Sequence, residues 1–206
     1  MSSKSSQQKN VKVKILIRGI YPILMNPATE ELLNQLPGAG ISAGAKKPNK
    51  DRTREEIAES RVIRDKKTKK VGIPVEYMYS CLKEAGRHVI FEGKKKISTA
   101  DSTLLFSFMS IDEQFFPFID QDSGYEIDVR RGVNRTTKGA QAIVRPRFDT
   151  WAFYLTIEVD TNEINLEKVR MVFDQAGKKI GLADFRPTCN GPFGRFVVEE
   201  WKEISA

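Results

Sequence analysis

Three stretches of this chain bring together the residue types that grip phosphate. The first, Val62 to Arg87, joins a basic turn with Arg64, Lys66 and Lys67 to an Ile-Pro that opens an amphipathic helix carrying Lys83 and Arg87. Proline is tolerated in a first helical turn because its missing N–H would have no partner there. A charged loop pinned to a helix start suits a polyanion, since helix N-termini present free N–H groups and a positive dipole end. The basic stretch reaches back to Lys46. A disordered, merely solubilising loop would have the same composition.

The second stretch is a ribbon. Arg130, Arg131, Arg135, Lys138, Arg145 and Arg147 fall on the arms and tip of a β-hairpin predicted over 125–148. Cations on alternating positions of a ribbon can track phosphates at strand pitch. A strand edge charged against aggregation would look alike. The third stretch is the loop Gly181 to Phe196. Gly191 and Gly194 would let the backbone approach a ligand closely. Arg186 and Arg195 supply charge, and Phe185 and Phe193 supply stacking surfaces, a pairing suited to single-stranded nucleic acid. The competing reading is a tight helix–strand connection whose aromatics plug the core.

Most catalytic arrangements are excluded. His88 is the sole histidine, so a histidine-rich metal site is impossible, and with Cys81 and Cys189 it lacks metal-site spacing. No G-x-x-x-x-G-K-[ST] run is present. No cofactor is expected.

The elements that must position these side chains follow from patterning. Val11 to Ile17 alternates and then turns apolar, as a strand with one face on a core does. Residues 29–36 read as a short helix, residues 39–49 as mobile, and 52–60 as one or two helical turns. Pro74 to Ile90 has helical spacing, and Lys94-Lys95-Lys96 reads as a solvated turn. Thr103 to Ile111 reads as a buried strand, and Phe115 to Phe118 as core packing. After the hairpin come a strand, Trp151 to Val159, and a helix capped by Asn165 and stopped at Gly177. A final strand begins at Phe196. The order β, α, β, hairpin, β, α, β is that of an α+β, ferredoxin-like (RRM-like) βαββαβ domain. The expected layout is a disordered tail over 1–10 and one domain over 11–206, with a basic insertion at 26–72 and a hairpin thumb at 125–148. The two helices would cover one sheet face and leave the other available.

The 206 residues carry a net charge of +7, with 40% hydrophobic and 30% charged side chains. Such a balance favours nucleic acid as partner, then an anionic surface. No apolar run approaches a membrane span. Two distant cysteines without a secretory h-region are expected as reduced thiols in a cytoplasmic setting.

Taken in order, these motifs resemble the RAMP superfamily, in particular the backbone subunits of type III CRISPR effector complexes. Val62, Arg64, Asp65, Thr68, Ile73, Pro74, Leu82, Lys83 and Arg87 stand in an order similar to the family pattern V-x-R-D-x-x-T-x-x-P-x-I-P-G-S-S-L-K-G-x-x-R. Asn134-Arg135-Thr136-Thr137-Lys138-Gly139-Ala140, with Arg145-Pro146-Arg147-Phe148, is similar to the D-R-x-T-x-x-A segment. Gly191 to Phe196 mirrors the glycine-rich close. The entrance Gly-Ser-Ser is replaced around Val75-Glu76-Tyr77, where Glu76 would repel phosphate.

The resemblance implies an RNA-binding subunit that assembles head to tail, as a homo-oligomer or filament, along a guide or other single strand. Other effector subunits are its implied companions, and single-stranded DNA is an alternative ligand. In the family an acidic residue before the Arg-Asp motif cuts target RNA, and Glu59 lies near that place, with Asp51 as the alternative. An endoribonuclease and a protein-binding mimic of a backbone subunit are the rival functions.

Overall fold

The computed structural model describes residues 10–28, 52–119, 124–133 and 138–204. Residues 1–9 of the expected tail, the helix at 29–36, the mobile stretch at 39–49, Asp51 and Arg135 lie outside the described residues, while Asn10, placed in the tail by the sequence reading, opens the first strand. Within them the chain forms a mixed α/β structure of eleven strands in antiparallel sheets and four α-helices. Its first half holds β1 (Asn10–Gly19), β2 (Ile23–Leu24), α1 (Arg54–Glu59), β3 (Gly72–Pro74), α2 (Val75–Ala85), β4 (Ile90–Glu92) and β5 (Lys95–Lys96). Next come α3 (Leu105–Phe108), β6 (Met109–Ile111) and β7 (Phe115–Pro117). The last part holds β8 (Glu126–Val133), β9 (Ala140–Phe148), β10 (Ala152–Asp160), α4 (Leu166–Gln175) and β11 (Phe196–Ile204).

The main sheet has the order β11-β1-β10-β6. Period-2 patterning places Val13, Ile15 and Ile17 of β1 on its core face, opposite Ile157, Leu155 and Phe153 of β10, and all six are fully buried. Each such side chain contributes about 1.5–3 kcal/mol by leaving water. Helix α2 presents Val75, Met78, Leu82 and Ala85 to the same core, and α4 presents Val169, Val172 and Phe173. Asn165 caps α4 by accepting from the Lys168 N–H at 2.9 Å.

The other sheet face is not a bare cationic surface. Lys12 pairs with Asp112 at 3.0 Å, Arg18 with Glu199 at 2.6 Å, and Lys14 lies over the Tyr154 ring.

A second sheet, β2-β9-β8, carries the predicted hairpin, and α1 packs against β9 and β8. Phe116 is fully buried on β7 and stacks on Phe153 with centroids 5.0 Å apart, so the aromatic cluster is core.

Two boundaries differ from expectation. Thr103 to Ile111 is not one strand: α3 precedes β6 because Thr103 Oγ1 accepts from the Leu105 N–H and Ser107 Oγ donates to the Leu104 carbonyl. Such local side-chain bonds offer the backbone an alternative to the ladder. Nor does Gly177 stop α4. The helix widens into one π turn, Ala176–Ile180, and leaves it at Gly181 with φ 75°.

Candidate nucleic-acid interface

The Arg-Asp motif is a turn built by its own side chains. Asp65 Oδ2 accepts from the Thr68 N–H at 2.9 Å and from Thr68 Oγ1 at 2.6 Å. The Lys69 N–H donates to the Asp65 carbonyl, and the Asp65 N–H to that of Lys70, each at 2.9 Å. These bonds explain the three-residue spacing of Asp65 and Thr68, and Thr68 holds the Asp65 carboxyl below its usual range. The turn displays Lys66, Lys67, Lys69 and Lys70, all exposed and none ion-paired among the described residues. Lys69 and Lys70 were legible in the same run, yet the motif pattern singled out only its first two lysines.

The base of this turn meets the hairpin. Arg64 pairs with Glu59 at 2.8 Å, and the Tyr125 hydroxyl donates to Glu59 Oε2 at 2.8 Å. Burial and then the Glu59 carboxylate push the Tyr125 phenol up to about 12. Glu59 remains about half exposed.

The hairpin meets the glycine loop through charges that sequence reasoning assigned to phosphate. Arg145 is 4% exposed and donates through Nη1 to Asp184 at 2.8 Å and through Nη2 to Asp128 at 3.2 Å. Asp128, itself buried, also accepts from Arg130 Nε at 2.8 Å. The Arg130 guanidinium lies 4.8 Å from the Phe193 ring centroid and 5.6 Å from that of Phe185. Arg61 donates to the Val144 carbonyl, and burial, with Arg145 beside it, pulls its guanidinium below the usual range. Segments around residues 61, 128, 145 and 184 thus lock together.

Several expectations change as a result. Buried Arg145 offers no surface charge. Arg147 is held by Glu126 and by Asp149 at 2.7 Å. Phe185 and Phe193 pack against each other with tilted rings and against arginine, with Phe193 buried, so these rings are already occupied. Gly191 and Gly194 serve close approach within the loop itself. A Cβ at Gly191 would fall 1.8 Å from the Phe185 carbonyl oxygen, and one at Gly194, where φ is 69°, 1.9 Å from that of Leu182. The helix entrance is altered too: the Val75 N–H donates to the Gln114 carbonyl, and exposed Glu76 occupies the first turn.

Arg131 and Lys138 are exposed towards the hairpin tip, with no ion pair among the described residues. Beside the junction lies a groove of about 280 Å³ lined by Asn26, Tyr77, Ser80, Cys81, Asp184 and Arg186, among others. Arg186 donates to the Ala183 carbonyl at 3.0 Å and stands 4.0 Å from Glu84. Burial pushes the Cys81 thiol up, which removes it as a nucleophile. Arg195 lies over the Tyr21 ring. Lys83 donates to the Asp101 carbonyl at 3.2 Å, and Arg87 is exposed beyond the far end of α2.

Asp128, Asp184 and Arg61 were not foreseen. A carboxylate inside an arginine-rich ribbon was the available signal for Asp128. Arg61 and Asp184 reach the hairpin across long sequence separations. Among the described residues no three His, Cys, Asp or Glu side chains gather as a metal site, and no helix is long and apolar enough to cross a membrane.

What these elements define first is a class: an antiparallel-sheet α/β domain with two helices in its core and a β-hairpin clamped to a glycine loop. No family model matches the sequence, and no curated protein matches it. Among solved structures, the chain is similar to one in the cryo-EM structure of the Type III-B Cmr-beta bound to cognate target RNA, with a TM-score of 0.54 and 12% identity. The match covers 95% of this chain and 61% of that one, and at this identity the likeness is one of fold.

Proposed function

We propose that the protein is an RNA-binding, backbone-type subunit of the RAMP kind, which assembles along a guide or other single strand in a CRISPR-like ribonucleoprotein. The observation that carries this reading is the fold likeness to a chain of an RNA-bound Type III-B assembly across nearly the whole of this chain. The ferredoxin-like assignment is supported by strand order: taking β1, β6, β10 and β11 as the four strands gives 4-1-3-2, with α2 and α4 as the crossovers. The exposed lysines of the 65–70 turn, with Arg131 and Lys138, supply charge for phosphates. The locked hairpin is a stiff arm for touching a neighbouring protomer or displacing a base. A contact between unlike surfaces whose rotation does not close makes a filament, which suits a linear ligand.

The test is purification without nuclease treatment. Copurifying RNA, with protomer number rising with strand length in light scattering, is the expected result. A nucleic-acid-free monomer with no affinity for labelled RNA at low salt would overturn the reading. Single-stranded DNA of the same sequence, run in parallel, separates the two ligands.

The Glu59, Arg64 and Tyr125 cluster favours one second reading, an endoribonuclease in which the carboxylate takes the proton of the attacking hydroxyl. Turnover of labelled RNA that Glu59→Gln lowers by about 10²-fold or more would establish it. Binding without turnover leaves the subunit reading alone.

A further inference from the structure

A second concentration of uncompensated charge lies at the other end of α2, about 16 Å from its start at 1.5 Å per residue. There a 3₁₀ turn, Gly86–His88, leads into the small β4–β5 hairpin. A cavity of about 550 Å³ opens beside it, lined by Arg87, Lys94, Lys95, Lys96, Thr99 and Ser102, among others, with the exposed Asp101 next to the lining but not part of it. The four cations are exposed, and none is ion-paired among the described residues. The segment from Thr99 to Ser102 is held in shape: the Thr99 N–H donates to the Ser102 carbonyl at 2.9 Å, and the two hydroxyls lie 3.0 Å apart. Among the described residues no aromatic ring lines the cavity, and nearby Phe91 is covered by Lys95 and Lys168.

Helix ends account for part of this charge. Arg87 follows α2, and Lys179 lies in the last turn after α4, where cations complement the helix dipole. Three successive lysines around a hairpin turn complement no helix. We propose that this cavity is a separate phosphate-binding site, which takes adjacent phosphates of a nucleic-acid strand or of a free polyphosphate through point charges, without reading a base. The site goes beyond the proposed function and does not depend on it.

His88, the sole histidine, is a built-in reporter. In the free protein, burial and then Lys179, Lys96 and Arg87 hold its imidazole below the usual range, and Glu84 pulls weakly the other way. An anion seated among those cations offsets them and raises the His88 titration midpoint. The experiment follows the imidazole by NMR through a pH titration, with pyrophosphate in one arm and an eight-nucleotide RNA in the other. A rise in the wild type, mostly lost in Lys94→Gln/Lys95→Gln/Lys96→Gln at unchanged melting temperature, is expected. A response to pyrophosphate alone assigns the site to free polyphosphate. A response to both assigns it to a strand. No rise in either arm, or an equal rise in the triple variant, would overturn the proposal. RNA affinity absent while the pyrophosphate response persists would count against the proposed function and leave this site standing.

Discussion

Arg145→Ala is expected to destabilise the protein by about 3–5 kcal/mol, because it leaves Asp128 buried beside a lost partner. For a domain of this size that lowers the melting temperature by roughly 6–20 °C. The guanidinium makes two bonds to carboxylates that arrive from different segments, one 17 and one 39 residues away. Arg145→Lys keeps the charge but loses the fork and is expected to recover only part of the loss. Arg145→Leu with Asp128→Leu removes both buried charges and should be less damaging than Arg145→Ala alone. Chemical and thermal melts of the three variants and the wild type check the series. An unchanged melt in Arg145→Ala would remove the junction from any structural role. If the double variant binds RNA with the wild-type salt slope, Arg145 is no phosphate contact.

The second large effect is on binding. Lys66→Gln/Lys67→Gln/Lys69→Gln/Lys70→Gln is expected to weaken single-stranded RNA binding on the order of 10–100-fold at low salt, and to lower the salt slope by about 2–3, since each phosphate contact on a single strand contributes about 0.7. The melt should hardly move, because these side chains are exposed and the turn is kept by Asp65 and Thr68. Arg147→Gln makes a useful contrast. Its guanidinium already has Glu126 and Asp149 as partners, so the slope should stay near wild type. Fluorescence anisotropy across a range of KCl concentrations reads both. Equal slopes in wild type and quadruple variant would move the phosphate contacts elsewhere.

Local patterns in the sequence foretold local structure. Strand β1, helices α2 and α4, the Asn165 cap and the long hairpin all follow from periodicity and from turn chemistry within a few residues. The stretch from Leu104 to Phe108 reads as strand because a short apolar run has the same composition in either state, and the Thr103 and Ser107 hydroxyls decide it. What patterning does not carry is which charge meets which. Six ribbon cations looked equivalent in one dimension. Folding buries one and pairs two others with carboxylates, while Arg131 and Lys138 stay exposed and Arg135 lies outside the described residues. For a related reason the sequence leaves two readings of the glycine loop open, a ligand contact and a tight helix–strand connection. Its small residues and rings meet each other and the hairpin, contacts that depend on strands 40 or more residues away.

The pairing of β1 with β10 on one side and β11 on the other sets a condition on biosynthesis. Roughly 130 residues separate β1 from β10, so at about 5–20 residues per second a ribosome delivers the first partner roughly 7–27 s later. Until then an apolar strand waits with both edges open, and the nascent chain is most in need of a chaperone during that interval.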